Sequence, residues 1–589
     1  MSKIYGALGV FETTNSDGDI NGMRLGARLA GIGFDESLIQ YGDFDCHHFL
    51  FGRGKESDED IAKYIRSKGW DPQKILIYDG ALPLDRLIKN NYHVIHKTDI
   101  ELDELLAIRH FLGHPLAPGT VMTHAISYAK FMPLWTEMLC NHVLPCDAIV
   151  CSSRAGREVL EKSMNLLIER FSSLLGTGFP AFRGRMEVIP LGVDIDYWKP
   201  AENKVEFREL LGLPEKACII LYPGRISTHD KMDLRPLLIA LSRLRAVLGT
   251  DFFYVVLAGD DMRTKGKESK LIQEFVNEHG LSSVVKIDTN IAQATMRQYY
   301  GAADIFVSLA DNIQETFGLT VIQAMACGLP TIVSDWDGYK ETVVHGKTGI
   351  RVPTYWAQCD AQAAGLSLLR PWPLNHLLIA QSVAVDVDEL YRALYMLVTD
   401  PEGCRWLGEA GRKRAEELYA WPCVIKQYLA LWEECRDRFD HIDVQEWARE
   451  DRENIFAPAY FQQFAHYPSA LITSETQLCL LPEGGPMNFA RATTAVQLPP
   501  TMQPVFHPIV FQGLLSRLRD WPISFGTLVE DTSRETGQPQ DLCARHVLWL
   551  IKYGIVKPME PKQNSHSVIA EKAEARKKAR LPVVENTVE

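Results

Sequence analysis

The sequence predicts an α/β protein with two lobes of comparable size, each built on a doubly wound, mainly parallel sheet, and then a small, mainly helical domain. Two observations predict the lobes: short apolar runs alternate with helical or polar stretches up to about residue 435, and this alternation restarts near residue 200. The third observation is a change in composition beyond residue 436. With 589 residues, the chain is too long for a single hydrophobic core.

The first lobe is assigned to residues 1–200. It opens with an apolar run at 4–11, a turn-forming stretch at 15–22 and a helical pattern at 23–30, which together form a strand, a loop and a helix. Further buried strands are predicted from four short apolar runs, at residues 75–78, 92–95, 121–123 and 148–151.

The second lobe is assigned to residues 201–435, after an apolar strand at 188–194 that runs into a Pro/Gly turn. Its strands are predicted at residues 217–222, 253–258, 284–287, 305–309 and 331–333, and a helical stretch at 401–435 closes it. The segment 356–384 is rich in tryptophan, proline and apolar residues. We interpret it as a cover over the lobe, with a role in shaping a pocket as the alternative.

The C-terminal part is divided into an irregular wrap or linker at 436–507, a winged-helix-like domain at 508–560 and a charged tail at 561–589. Winged helices bind DNA when their second helix is basic. Here that helix carries Arg545, His546 and Lys552 among mostly apolar residues. The pattern favours packing against another protein or against the enzyme itself over DNA. Docking of a protein or peptide acceptor is a further hypothesis.

The bulk composition argues against several classes of protein function. A formal net charge of −13 argues against a general nucleic-acid binder. No apolar run approaches the roughly 20 residues of a membrane span, and the N-terminus lacks the apolar stretch of a secretory signal. A cytoplasmic protein is therefore expected. Weak association with the inner face of a membrane is a second hypothesis, based on arginines that accompany an apolar stretch at 164–185.

Metal-binding patterns are weak in this sequence. None of the 12 cysteines forms a Cys-x-x-Cys pair. Cys140, His142 and Cys146 lie in a helical apolar pattern without a second ligand pair, so buried thiols are the better interpretation. Three Asp-x-Asp triplets, at 17–19, 43–45 and 335–337, are interpreted as solvated or capping residues. No metal and no other cofactor is predicted.

The most informative stretch is 315–323. It places Glu315 in a loop after a strand, then Gly318, then a helix that starts near Leu319. The N-terminus of a helix offers unpaired N–H groups and a partial positive charge, which suit a diphosphate. Glu315 can accept hydrogen bonds from sugar hydroxyls, and Gln323 can reach a ribose hydroxyl.

Two cations follow the strand at 217–222. Arg225 and Lys231 lie in one loop at the carboxyl end of this strand, where the edge of a parallel sheet binds ligands. Their charges can stabilise a leaving diphosphate without a metal. Each cation alone is a weak signal, because most loop arginines and lysines are surface charges.

Together these pieces resemble the retaining glycosyltransferase family 4, whose two Rossmann-like lobes form the fold called GT-B. The resemblance covers residues 1–435 and is strongest between 188 and 352. Six elements occur in the family's order: 188–194, Gly224-Arg225 with Lys231, 257–260, Ala303-Asp304 with Ser308, 315–330, and 338–341 with 346–349. The resemblance implies an acceptor-side first lobe and a donor-side second lobe.

The resemblance also implies residue roles. The implied catalytic residues are His124, Glu315, Arg225 and Lys231. The implied donor-binding residues are Asn21, Gly22, Gly224, Arg225, Lys231, Glu315, Phe317, Gly318, Leu319, Thr320 and Gln323. Gln323 departs from the family, which has a second glutamate there to bind the ribose, although an amide can still donate and accept hydrogen bonds. For His124, a structural loop histidine is the alternative.

The implied function is transfer of a sugar from a nucleotide-sugar donor to a glycan, lipid-linked, protein or small-molecule acceptor, with retention of anomeric configuration. UDP-sugars are the first expectation and GDP-sugars the next. Two alternatives remain open: a sugar phosphorylase or hydrolysing relative, and a catalytically weak scaffold that binds nucleotide-sugar. Gln323 favours the scaffold, whereas the presence of Arg225, Lys231 and Glu315 favours the enzyme.

Overall fold

The computed structural model describes residues 2–13, 26–52, 57–78, 84–262, 264–369, 374–444, 458–481, 507–518 and 522–559, together with Trp447 and Phe456. The chain folds into two compact units, Met1–Ala457 and Pro458–Glu589.

The first lobe of the larger unit is built on a seven-stranded parallel sheet in the order β3-β2-β1-β4-β5-β6-β7. Its strands are β1 Ile4–Ala7, β2 Cys46–Phe49, β3 Ile75–Ile77, β4 Tyr92–Lys97, β5 Gly119–Met122, β6 Ala148–Cys151 and β7 Arg185–Val188. Its helices are α1 Gly26–Tyr41, α2 Asp58–Ser67, α3 Leu84–Lys89, α4 Asp103–Leu112, α5 Phe131–Cys140 and α6 Arg154–Leu175, with a short 3-10 turn at Pro72–Lys74. Strands such as β6 are apolar throughout because helices cover both faces of the sheet.

The second lobe contains a six-stranded parallel sheet in the order β10-β9-β8-β11-β12-β13. Its strands are β8 Cys218–Pro223, β9 Phe253–Gly259, β10 Val285–Thr289, β11 Ile305–Ser308, β12 Thr331–Ser334 and β13 Gly349–Val352. Its helices are α7 Lys204–Leu211, α8 Arg235–Leu248, α9 Lys267–Glu278, α10 Gln293–Ala302, α11 Leu319–Ala326 and α12 Tyr339–Thr342. The chain order along this sheet reverses between β8 and β11.

Two helices, α13 Ala361–Leu369 and α14 Leu374–Ala380, form a hairpin between the short antiparallel strands Thr354–Tyr355 and Ala384–Val385. The sequence interpretation of a cover over the lobe fits α14, which buries four residues. It does not fit α13, because Leu368 and Leu369 are 83% and 76% exposed. The apolar composition of this segment therefore did not distinguish its buried half from its exposed half.

The last helices of the larger unit are α15 Val387–Thr399, α16 Pro401–Arg414 and α17 Trp421–Phe439, with a π-helical turn at Ala415–Tyr419 before α17. Helix α17 returns to the first lobe. Trp432 Nε1 donates to Thr120 Oγ1 at 3.0 Å, and Arg436 donates to the carbonyl of Tyr92 at 2.8 Å. The end of the second lobe is thereby fastened to the sheet of the first.

The smaller unit contains helices at Tyr460–Phe464, Pro508–Arg517, Phe525–Thr536 and Gln540–Lys552. Its antiparallel sheet places Gln477–Leu480 between Ile523–Ser524 and Val556–Pro558. The central strand falls in the segment interpreted from sequence as an irregular wrap or linker. Four residues are too few to show a clear period, and the burial of Leu478 reveals the strand only in the folded unit.

A buried ion pair stabilises the first lobe. Arg109 and Asp147 are joined by two hydrogen bonds of 2.7 and 2.8 Å, and both side chains are almost completely buried. The backbone N–H groups of Gly119 and Leu144 donate to the same carboxylate, at 2.7 and 2.8 Å. Helix α4 and the loop before β6 meet at this pair. Because both side chains are buried, removing one partner leaves a buried charge without compensation.

We expect Asp147→Ala to lower the free energy of unfolding by about 3–5 kcal/mol, because it leaves the Arg109 guanidinium buried without its carboxylate partner. The matched control is Glu161→Ala, which breaks the exposed Arg157–Glu161 pair on α6. The control should change the free energy by less than about 1 kcal/mol. Urea denaturation followed by tryptophan fluorescence measures both. Equal effects in the two variants would contradict a structural role for the buried pair.

Candidate functional site

A cleft of about 1330 Å³ opens between the two lobes of the larger unit. The loop after β8 contributes Arg225 and Lys231, and the loop after β11 contributes Glu315. These loops leave neighbouring strands at the point where the strand order reverses. Parallel α/β sheets form their ligand crevices at such switch points, because adjacent loops there diverge to opposite faces.

The sequence-predicted site residues meet in this cleft. Ten of them line it: His124, Gly224, Arg225, Lys231, Glu315, Phe317, Gly318, Leu319, Thr320 and Gln323. Asn21 and Gly22 lie outside the described residues. The cleft is therefore lined by predicted residues of both lobes, and their individual roles stay predictions.

Arg225 is held by the chain around it. Its guanidinium donates to Asp230 Oδ2 at 2.6 Å and to the Asp230 carbonyl at 3.3 Å. The Asp230 side chain is fully buried, whereas that of Arg225 keeps 19% exposure. The hydroxyl of Tyr222 donates to the Arg225 carbonyl at 2.7 Å. These contacts fix the direction of a cation at the cleft wall.

Lys231 and Glu315 form an ion pair across the two loops, with 2.6 Å between Nζ and Oε2. Burial opposes ionisation of Glu315, but the Lys231 ammonium outweighs it and holds the pKa of this carboxyl below its usual range. Burial likewise opposes the charge on Lys231, but Glu315 outweighs it and keeps the lysine pKa above its usual range. Both groups are therefore charged at neutral pH.

Glycines bring the backbone close to the cleft. Gly318 precedes α11 with φ of 98°, and a Cβ there would lie 2.3 Å from the Tyr339 ring. A Cβ on Gly259 would lie 1.7 Å from the carbonyl oxygen of Gly224. No side chain fits at either position, so backbone groups line the cleft beside Arg225 and the start of α11. N–H groups at a helix start bind anions.

Gln323 lies on α11 and contacts Tyr300. The Tyr300 hydroxyl lies 3.3 Å from Gln323 Oε1 and 3.2 Å from the Thr320 carbonyl. The Tyr300 side chain is buried beneath the helix. The sequence analysis did not predict this contact, because a tyrosine in the helical stretch before β11 has the pattern of an ordinary core residue.

His124 follows β5 on the opposite side of the cleft. Its Nε2 lies 2.8 Å from the carbonyl of Thr98. Because a carbonyl only accepts hydrogen bonds, Nε2 carries the proton and Nδ1 presents a lone pair. Burial lowers the pKa of His124 despite the nearby Asp99 carboxylate. A neutral imidazole with a fixed tautomer is the result.

The two lobes also touch directly at the site. Thr316 Oγ1 donates to the His124 carbonyl at 2.8 Å. Outside the lining of the cleft, the backbone N–H of Ala155 donates to Glu341 Oε1 at 2.9 Å. The sequence analysis did not predict a role for Thr316. Its partner His124 lies 192 positions away in the sequence, and no local pattern indicates such a contact.

Two classes of site were sought and not found in the part of the chain that the structure describes. No three or more His, Cys, Asp or Glu side chains are grouped so that they could hold a metal ion. Among the same residues, no helix has the length and apolar character needed to cross a membrane.

Comparison with known proteins gives relatives for the second lobe. A family profile described as Glycosyl transferases group 1 matches residues 203–382. The D-inositol 3-phosphate glycosyltransferase of Streptomyces avermitilis is 31% identical over 176 residues, which cover 30% of this chain and 37% of that protein. The protein of the same name from Thermobifida fusca is 23% identical over 256 residues, covering 43% of this chain and 51% of that protein. The matches thus span 37% and 51% of the length of these two relatives.

A solved structure extends the likeness to both lobes. HepE of Anabaena in complex with UDP matches with a TM-score of 0.50 and 15% identity, and the match covers 74% of this chain and 100% of HepE. This likeness shows the fold. The expected GT-B arrangement of two Rossmann-like lobes around a cleft is confirmed.

We expect Lys231→Met to lower the melting temperature most at neutral pH. In the wild type the lowered pKa of Glu315 means that its charge adds stability, which is lost as pH falls through that pKa. In the variant, burial acts without the ammonium and raises the pKa. The destabilisation should therefore shrink as the pH is lowered and Glu315 takes up a proton.

Thermal unfolding of both proteins between about pH 7 and pH 5 measures this difference. Lys267→Met, which removes an exposed cation at the start of α9, is the control and should shift the melting temperature little at either pH. A Lys231→Met effect that did not depend on pH would contradict the ion pair as the source of stability.

Proposed function

We propose that this chain is a glycosyltransferase that moves a sugar from a nucleotide-sugar, with a UDP-sugar as the first expected donor, to an acceptor hydroxyl. The observation that carries this proposal is the meeting of Arg225, Lys231 and Glu315 at the β8/β11 switch point, beside the glycine-preceded start of α11. The Glycosyl transferases group 1 profile covers this segment, and the structural neighbour HepE binds UDP, which supports the choice of donor.

The donor diphosphate would bind between the two cations and the N-terminus of α11. Arg225 offers a guanidinium whose direction Asp230 fixes, and Lys231 has donors beyond the one given to Glu315. Gly224 and Gly318 have no side chain, so the diphosphate can approach the backbone closely at these two positions. These fixed positive groups act on the charge that develops on the departing nucleotide, and fixed donors need no reorganisation during the reaction.

The sugar would lie between Glu315 and His124. Glu315 stays ionised through its contact with Lys231, so it can accept hydrogen bonds from sugar hydroxyls. His124 is neutral, and its Nδ1, on the first-lobe side of the cleft, can accept a hydrogen bond from a further sugar hydroxyl. Gln323 on α11 would bind the ribose, and the Tyr300 hydroxyl donates to its Oε1 at 3.3 Å.

In the proposed reaction, the bond between the anomeric carbon and the phosphate oxygen breaks and a bond to the acceptor oxygen forms. The acceptor proton passes to the departing phosphate oxygen, so the nucleoside diphosphate leaves with that proton. Attack on the face from which the phosphate leaves retains the anomeric configuration, as in family 4. No metal enters this scheme, and addition of EDTA should leave the rate unchanged.

The smaller unit is proposed as a winged-helix-like module for contact with a protein or peptide acceptor. Its helix Gln540–Lys552 buries Cys543, His546, Val547, Trp549 and Leu550 and exposes Arg545 and Lys552. Two exposed cations are a small footprint for DNA. Salt-sensitive binding of duplex DNA in an anisotropy titration would contradict this role.

We expect UDP or a UDP-sugar to raise the melting temperature, because a ligand bound only by the folded state stabilises it. Arg225→Ala should weaken UDP affinity about 10- to 100-fold, since it removes charged hydrogen bonds worth about 1.5–3 kcal/mol. Arg235→Ala removes a neighbouring cation that pairs with Asp233 and is the matched control. A thermal-shift screen of UDP-, GDP- and ADP-sugars, followed by calorimetry, measures both. If no nucleotide shifts the wild type, the donor site is refuted.

We expect Glu315→Gln to lower kcat for sugar transfer or donor hydrolysis by about 10²–10³, because it removes a charge that holds the reacting sugar. The variant should still bind UDP, since Arg225 and Lys231 remain. The measurement is the release of UDP from the donor with and without candidate acceptors. Wild-type binding of UDP-sugar without any turnover would instead support the scaffold alternative.

A further inference from the structure

The α13–α14 hairpin belongs to the second lobe by sequence but reaches the first. Both of its ends lie in the antiparallel pair Thr354–Tyr355 and Ala384–Val385, which continues the edge of the second lobe. Gln381, just after α14, donates to Asp233 Oδ2 at 3.3 Å. The hairpin is therefore anchored close to the loop that carries Arg225 and Lys231.

His376, on α14, makes the contact with the first lobe. Its side chain is fully buried, and Nε2 lies 3.3 Å from the carbonyl of Ser127. Its ring lies 5.0 Å from that of Tyr128 with 30° between their planes. Ser127 and Tyr128 follow His124 in the same loop. Because the Ser127 carbonyl can only accept, His376 Nε2 carries a proton.

Charged residues of the loop after β8 also act on the His376 ring. Burial lowers the pKa of His376, and among the nearby charges Asp230 raises it and His229 lowers it. Asp230 is the residue that orients Arg225. His376 Nδ1 is buried without a hydrogen-bond partner in the described residues. The hairpin thus contacts the loop that holds His124 through His376, and the loop after β8 through Gln381.

A reaction that needs groups from both lobes depends on the distance between the loops that carry them. The His124 loop also contacts the loop after β11, through the bond from Thr316 to the His124 carbonyl. A misplacement of about 1 Å between reacting groups can cost about 10²-fold in rate. An element that fixes the distance between the loops therefore controls turnover more than it controls binding to one lobe.

We propose that His376 is a positioning residue. It ties the His124–Tyr128 loop of the first lobe to a hairpin that Gln381 anchors to the loop after β8, and so sets the geometry of the cleft. This inference rests on the proposed function. His376 itself touches no reacting atom: it acts through Ser127 and Tyr128.

The test compares His376→Ala with His376→Gln, whose side-chain amide can keep a donor near the position of Nε2. We expect His376→Ala to lower kcat about 10- to 100-fold while UDP affinity stays within about threefold. His376→Gln should retain most of the kcat. Gln362→Ala, at an exposed position on α13 of the same hairpin, is the control and should behave as wild type. Kinetics with a UDP-sugar and calorimetry with UDP provide the two readouts.

Hydrogen exchange of the ligand-free proteins tests the bridge without any reaction. Peptides that cover 124–131 should exchange faster in His376→Ala than in wild type, His376→Gln and Gln362→Ala. The inference is overturned if kcat is unchanged in His376→Ala, if UDP affinity falls as much as kcat, or if exchange in these peptides does not change. Absence of UDP binding and turnover in the wild type refutes the proposed function instead, and the exchange result still decides the bridge.

Discussion

The ion pair between Lys231 and Glu315 is the interaction on which the candidate site depends. Two opposite charges lie 2.6 Å apart with 10% and 17% exposure, at the junction of the loops that follow β8 and β11. Either charge alone would be costly to bury, so each stabilises the other only while both loops hold their positions. The pair therefore keeps a carboxylate and an ammonium ionised in the cleft, beside the Arg225 guanidinium.

The fold explains why these groups meet. Parallel strands carry their carboxyl-end loops to one edge, and the reversal of strand order between β8 and β11 leaves a crevice there. Glycines at 259 and 318 then allow contacts that no side chain would permit. Helix α17 returns across the first lobe, and Thr316 contacts the His124 loop, so the second wall of the cleft is held against the first.

Much of this arrangement could be predicted from sequence, because buried parallel strands are continuous apolar runs and the 315–323 motif orders its parts along the chain. Strand β2 could not, since its sequence Cys-His-His-Phe places two histidines in a buried strand, where His48 contacts Tyr92 at 3.0 Å. Thr316, Tyr300 and His376 were missed for a related reason. Their importance lies in partners distant in sequence, which local patterns do not show. Asn21 and Gly22 lie outside the described residues and remain predictions.

Hydrogen exchange of this chain with and without UDP is the most direct test of the cleft as a nucleotide-sugar site. If UDP binds between Arg225, Lys231 and the start of α11, protection should concentrate in peptides that cover 223–232 and 315–323. These are the two loops that leave β8 and β11. Protection elsewhere in the chain, or none at saturating UDP, would contradict the assignment of the cleft as a nucleotide-sugar site.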